Sequence, residues 1–218
     1  MSTRQSFDKA LADLQQDVLR MASVVEKLIY NAVKSLATQD PILAGEVIEG
    51  DDLVDEQRFQ IEDKIIKIIA TQQPMAKDLR ILITGIRIII SLERMADHSV
   101  DIARVTMCLV EEKLIKPLVS ITAMAKLAQQ MVRDGLDAYV HNDPDKAREM
   151  CEADDEVDHI YHQTYKHLVS FMKRDPDTIG QATYLLFVAR FLERIADHAT
   201  NIGEAVIFQA TGEWKELN

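Results

Sequence analysis

Four pairs of carboxylates, each pair four residues apart, are the groups in this 218-residue chain best placed to do chemistry. Glu93 and Asp97 lie in the heptapeptide LERMADH (Leu92–His98), and Glu193 and Asp197 in LERIADH (Leu192–His198). Asp51 with Asp55 and Asp154 with Asp158 stand upstream of them. A step of four on a helix sets two side chains on one face, about 6 Å apart along the axis. Like charges so placed weaken an isolated helix by roughly 0.2–0.5 kcal/mol per pair. Converging carboxylates are costly unless compensated, since each is desolvated beside like charge. A hard or borderline cation with oxygen ligands removes that cost. Asp51, Asp55, Glu93, Asp97, Asp154, Asp158, Glu193 and Asp197 are therefore candidate metal ligands, with Asp101, one turn beyond Asp97, as a ninth. Imidazole at His98 or His198 could complete a shell for iron, manganese or zinc, although each is turned about 100° from the preceding aspartate. The competing reading is an ion-paired surface. Arg94 precedes Asp97 by three residues, Arg194 precedes Asp197 and Arg190 precedes Glu193, which is salt-bridge spacing. For one isolated pair that reading prevails; four pairs at matching positions favour a metal or another functional role.

The elements that must position these groups are helices, written twice. Asp40-Pro41, Asp143-Pro144 and Asp175-Pro176 each read as an N-cap followed by proline at the first helical position. Pro74 and Pro117 open two further segments, and apolar periodicity between the marks is helical throughout. The spacing predicts helices over Gln5–Thr38, Pro41–Gln72, Pro74–Glu111, Pro117–His141, Pro144–Lys173 and Pro176–Ala210. Asp51-Asp52-x-x-Asp55 recurs as Asp154-Asp155-x-x-Asp158 at an offset of 103, and the heptapeptide at an offset of 100. The expected fold is all-α, two tandem pseudo-symmetric three-helix bundles of six long helices, with repeats at 1–112 and 113–218 joined by short loops. In each antiparallel bundle the start of the middle helix lies beside the end of the next. That brings Asp51 and Asp55 to Glu93 and Asp97, and Asp154 and Asp158 to Glu193 and Asp197. Leu79, Ile83, Ile86 and Ile90 form an apolar line predicted to be the core seam of the third helix, which Glu93 and Asp97 continue. Ile179, Thr183, Leu186, Arg190, Glu193 and Asp197 form the matching line of the sixth.

Composition narrows the function. A net charge of −11 argues against a nucleic-acid binder and against docking on anionic lipid. The most apolar stretch, Ile81–Leu92, is too short to span a bilayer and carries Arg87, and the first residues lack the apolar core of a signal peptide. Cys108 and Cys151 read as free thiols, and a cytoplasmic protein without direct membrane insertion is expected. His159, His162 and His167 read as exposed positions of an amphipathic helix, and the methionines as core filling. There is no glycine-rich phosphate loop, nucleophile elbow or Cys/His catalytic pattern. A ferritin-type di-iron centre would need Glu-x-x-His motifs facing one another, whereas the two heptapeptides carry Glu-x-x-x-Asp-His. A metal-dependent hydrolase acting on phosphate esters is the alternative that the carboxylates leave open.

The tandem LERMADH and LERIADH, the aspartate pairs after Gly50 and after Glu152-Ala153, and the segment QQPMAKDLR (Gln72–Arg80) resemble the PhoU family over nearly the whole chain. The resemblance implies a cytoplasmic, non-enzymatic negative regulator of the phosphate-starvation response and of phosphate uptake. Its implied partners are the ATPase subunit of the phosphate ABC transporter and a sensor histidine kinase. It also implies multinuclear iron or zinc clusters, with manganese as a further possibility, on Asp51/Asp55, Glu93/Asp97, Asp154/Asp158 and Glu193/Asp197. Asp101 corresponds to Asn201, so the two sites are not expected to be equal in charge. Homodimerisation is left open by the sequence.

Overall fold

The corner between the first two helices shows how the chain repeats itself. Gln39 takes a left-handed conformation (φ 51°). The Asp40 carboxylate then accepts hydrogen bonds from the amides of Ile42 (3.0 Å) and Leu43 (3.1 Å), with Pro41 in the first turn. One repeat later Asn142 has φ 51°, and Asp143 accepts from Asp145 (3.0 Å) and Lys146 (3.1 Å) ahead of Pro144. A computed structural model describes residues 3–214 and 217. Its helices are α1 (Thr3–Thr38), α2 (Pro41–Gln72), α3 (Lys77–Leu109), α4 (Val119–His141), α5 (Pro144–Glu152), α6 (Asp154–Arg174) and α7 (Ile179–Thr211). A 3₁₀ turn over Pro176–Thr178 precedes α7, and there is no strand among the described residues.

The chain is all-α, as expected, with one departure in element number. The fifth predicted helix, Pro144–Lys173, is interrupted at Ala153, whose amide bonds back to the Met150 carbonyl three residues earlier (3.1 Å). Neither proline nor glycine causes the break. A continuous helix would hold Glu152, Asp154, Asp155 and Glu156 mid-helix. Starting α6 at Asp154 places the last three in a first turn, where the helix dipole favours negative charge. In α2 the equivalent position is Gly50 and the helix runs through it. The third helix also begins later than Pro74, at Lys77, because Gln73 and Ala76 both take positive φ.

α3 and α7 form the centre of the molecule. α3 packs on α1, α2 and α7, while α7 packs on α3, α4, α5 and α6. The two are antiparallel: Thr84 Oγ1 donates to the Ala205 carbonyl (3.1 Å), while His98 stacks on Phe191. One continuous hydrophobic cluster therefore runs through both repeats, with Leu14, Met21 and Ile65 on one side and Met124, Leu185 and Ile202 on the other. The linker between repeats is tied down from both. Gln39 donates to the carbonyls of Leu109 (2.8 Å) and Glu112 (2.6 Å), and Gln181 to that of Lys113 (3.1 Å).

The predicted core seam of α3 is out of phase. Leu79 is 37% and Ile90 39% exposed, and Ile83 and Ile86 are only partly buried. The buried stripe is instead Leu82, Gly85, Ile89, Leu92 and Ala96, matched in α7 by Ala182, Leu185, Ala189, Leu192 and Ala196. Because three helices cover α3, its buried arc is wide, and isoleucines on its flank mimic an inward line. Glu93 and Glu193 do not replace core residues. They border the core and are nonetheless buried, at 8% exposure each.

Candidate functional site

Each repeat gathers carboxylates where the middle helix passes the end of the last one. In the first, α2 brings Asp51 and Asp55 to Glu93 and Asp97 of α3. Burial, followed by the charges of Asp97, Asp55, Glu93 and Asp52, pushes the Asp51 carboxyl up to about 6. Burial also raises Glu93, with Asp97 and Asp55 adding to it and Arg94 and Arg58 opposing. In the second, burial with Asp197, Asp158 and Asp155 raises Asp154 to about 6. Glu193 rises to about 7, through burial first and then Asp197, against the pull of Arg190. Burial raises Asp197 as well, opposed by Arg194 and Arg190.

The ion-paired reading is realised in part. Arg94 Nη1 lies 3.0 Å from Asp97 Oδ2, Arg194 Nη1 lies 2.6 Å from Asp197 Oδ2, and Arg190 pairs with Glu193. These pairs leave specific oxygens over. Asp51 Oδ1 and Glu93 Oε2 are buried and accept no hydrogen bond, and neither do Asp154 Oδ1 and Glu193 Oε2, the same atoms of the other repeat. Glu93 Oε2 has only Arg94 Nε at 3.4 Å beside it. Buried acceptors without donors are rare in folded proteins and ask for a missing partner. Oxygen donors with free lone pairs fit a hard or borderline cation. No group of three or more His, Cys, Asp or Glu side chains among the described residues stands ready to hold one ion, so binding would require side-chain rotation.

The family model for the PhoU domain matches this chain twice, over residues 18–106 and 121–206. The chain belongs to the PhoU family. Phosphate-specific transport system accessory protein PhoU homologs from Clostridium acetobutylicum and Caulobacter vibrioides are 41% and 40% identical to it. The first match covers 99% of both chains, the second 97% of this chain and 92% of the relative. Among solved structures, PhoU from Pseudomonas aeruginosa superposes with a TM-score of 0.91 at 34% identity, covering 95% of this chain and 100% of that one. The phosphate transport system regulatory protein PhoU from Streptococcus pneumoniae also gives 0.91, at 30% identity, covering 97% and 100%.

Family membership does not make the two sites alike. The first receives an extra cation from its middle helix: Arg58 Nη1 is 3.1 Å from Glu93 Oε1. Tyr161 occupies that position in α6, and the second site draws its extra cation, Arg190, from α7, where α3 has Ile90. Arg58 escaped sequence reasoning, though it sits two turns beyond Asp51 on the same face. The second site opens into a cleft of about 490 Å³ lined by Arg148, Cys151, Glu152, Asp154, Asp155, Asp158, Asp197 and Leu217.

Asp101 and the heptapeptide histidines have partners of their own. Asp101 Oδ1 is 3.3 Å from Arg104 Nη1, and its Oδ2 is 3.9 Å from His98 Nδ1. Asn201, its counterpart, lies 3.4 Å from His198 Nδ1. The ring of His98 stacks on that of His198, with centroids 5.8 Å apart. Equivalent residues touch only near the axis that relates them, so the pseudo-twofold runs between these rings. Burial holds both imidazoles below their usual range, His198 at about 4, with the positive charges of His98, Arg194 and Arg94 adding to the effect there. His159, His162 and His167 are exposed, and neither cysteine is in a disulfide.

Proposed function

We propose that this protein is a negative regulator of phosphate uptake and of the phosphate-starvation response. It acts as a cytoplasmic adaptor between the ATPase subunit of a phosphate ABC transporter and a sensor histidine kinase, and its two carboxylate clusters take iron, zinc or manganese. The regulatory part is supported by kinship: relatives matched along almost their whole length are named phosphate-specific transport system accessory proteins. No helix among the described residues is long and apolar enough to cross a membrane, which suits a partner that docks on transport machinery rather than joining it. The cation part is supported by one observation, the same two carboxylate oxygens left without donors in both repeats. A divalent ion would satisfy them and relieve the mutual repulsion that raises Asp51, Asp154 and Glu193.

Two measurements test the two parts separately. Deleting the gene should switch phosphate-starvation genes on in phosphate-rich medium, and this chain supplied in trans should restore repression; repression that persists in the deletion strain refutes the regulatory reading. Elemental analysis of purified protein, with and without reconstitution, should find iron, zinc or manganese. A folded protein that holds none after reconstitution leaves the ion pairs as the whole purpose of the clusters.

A further inference from the structure

The apolar line that reads as the core seam of α3 is left over by the fold. Leu79, Ile83, Ile86 and Ile90 lie on the flank of α3 nearest α2, the flank from which Glu93 reaches Arg58. Phe59 and Ile66, a heptad apart, lie on the side of α2 that turns toward that flank. Among the described residues α2 packs on α1 and α3 alone, and the outer faces of these side chains stay bare: Phe59 is 62% and Ile66 63% exposed. In the second repeat His162, Thr183 and Arg190 stand at the places of Phe59, Ile83 and Ile90, so polar groups break the corresponding seam. Leu79 to Ile90 spans about 17 Å of helix axis, room for about three turns of a helix laid along it. Contiguous exposed apolar surface of this kind marks an interaction site.

Charge decides between occupants. α2 carries eight acids and three bases. All three bases are ion-paired within the chain, Arg58 to Glu62 and Glu93, Lys64 to Asp17 and Lys67 to Asp63. Of the α3 cations beside the strip, Arg94 is held by Asp97 and Arg87 lies against the Trp214 ring. Asp52, Asp55 and Glu56 stay exposed toward the Glu93 end of the strip. Asp52 and Glu56 are outside the candidate metal ligands, so an ion in the cluster leaves their charge in place. A second copy is a poor complement, since an isologous pair would set one acidic α2 beside the other. Its most basic helices, α1 and α3, each carry only five bases against four acids.

We propose that the α2–α3 strip is the docking site for a cationic amphipathic helix of a partner protein. The apolar side of that helix lies on Phe59, Ile66, Ile86 and Ile90, and its lysines or arginines meet the acids of α2. The assignment of this partner to the transporter or the kinase rests on the adaptor reading; the strip and its charge do not.

The probe is a fluorescein-labelled peptide of about five helical turns, with leucine at every third or fourth position and lysine elsewhere. Its control carries glutamate in place of lysine. Fluorescence anisotropy should show binding of the lysine peptide, weakening with added salt, and none of the glutamate peptide. Phe59→Ser/Ile66→Ser should weaken binding about tenfold, and Asp52→Asn/Glu56→Gln severalfold. Tyr165→Ser, which removes a half-exposed side chain of the second repeat, should leave it unchanged. Ile90→Arg, copying the second repeat, should act like the double serine variant and decides the matter if that variant does not fold. Absence of binding, equal binding of the two peptides, or no effect of the strip variants overturns the proposal. So does a dimer in sedimentation that Phe59→Ser/Ile66→Ser dissolves, since a second copy would then be the occupant. In cells the strip variants should switch phosphate-starvation genes on as deletion does. Repression kept by folded variants that no longer bind the peptide would overturn the strip as the adaptor's docking face. If deletion itself leaves repression intact, the adaptor reading falls and the peptide result alone decides the docking site.

Discussion

Replacing Glu193 by glutamine keeps the shape of the side chain and removes one charge from the second cluster. In the fold this carboxyl titrates at about 7 rather than 4.5. A separation of about 2.5 pH units corresponds to about 3 kcal/mol, at about 1.4 kcal/mol per unit. The titration is shared with Asp197, and the partly exposed Arg190 loses its partner in the variant, which reduces the expected net effect to about 2 kcal/mol. The folded carboxyl titrates above the unfolded one. Its favourable contribution is therefore complete below pH 4.5 and is lost as the pH rises through 7. Glu193→Gln escapes that loss. In chelator-treated protein the variant and the parent should be equally stable near pH 4, and the variant should be more stable by about 2 kcal/mol at pH 8. For a chain of this size that difference raises the melting temperature by about 4–8 °C. Thermal melts from pH 4 to 8.5, with and without Mn²⁺, provide the assay. The ion should stabilise the parent and do so less for the variant. A variant no more stable than the parent at pH 8 without metal would refute the claim that Glu193 is held against like charge.

Arg58→Ala removes the cation that bonds both Glu93 and Glu62, so chelator-treated protein should lose about 1–2 kcal/mol in urea unfolding at pH 8. Gly203→Ala should destabilise by about 1–3 kcal/mol, because the new Cβ would meet Cys151 Sγ at 2.6 Å and Met150 Cε at 2.8 Å. Gly45→Ala, with nothing within 4 Å inside α2, should stabilise by about 0.5–1 kcal/mol, and equal effects at the two glycines in urea titrations would sink the packing argument. If the cation reading holds, Glu93→Ala/Asp97→Ala should remove about half of the bound metal by elemental analysis, since each repeat carries its own oxygen donors; full retention would place the metal elsewhere.

How far the sequence could be read depended on whether the deciding interaction was local. The caps at Asp40, Asp143 and Asp175 act over two or three residues, and all three form as their spacing predicts. Asp51 meets Glu93 and Asp97 because a short connection makes α2 and α3 antiparallel, so that convergence was legible too. The phase of the core stripe was not. It depends on α7 covering a third side of α3, a contact between residues a hundred positions apart, and Leu79 and Ile90 look as apolar as Leu82 and Ile89. The stacking of His98 on His198 was hidden for the same reason. By spacing alone each is a neighbour of its own aspartate, whereas the fold turns it toward the other repeat. The break at Ala153 had a trace in the acidic run from Glu152 to Glu156, which a new helix N-terminus accommodates better than a helix interior.

The pseudo-twofold also explains why the heptapeptide is spelled almost identically in both repeats. Near the axis the two copies face each other and so meet nearly the same surroundings. Leu92, Met95 and Ala96 are fully buried, as are Leu192, Ile195 and Ala196, so three positions of each copy are fixed by the shared core. Glu93 and Glu193 border it with one oxygen unpaired, Arg94 and Arg194 hold Asp97 and Asp197, and the histidines close on each other across the axis. Every residue of the motif is thus held by packing, by a carboxylate cluster or by its own copy. A change in one repeat would be felt at the crossing by both. Divergence falls where the surroundings differ: Arg58 against Tyr161, Ile90 against Arg190, and Arg104, paired with Asp101, against Glu204, which receives the Leu217 amide. The duplication preserved the crossing and freed the edges, and at the edges the two clusters acquired different cations.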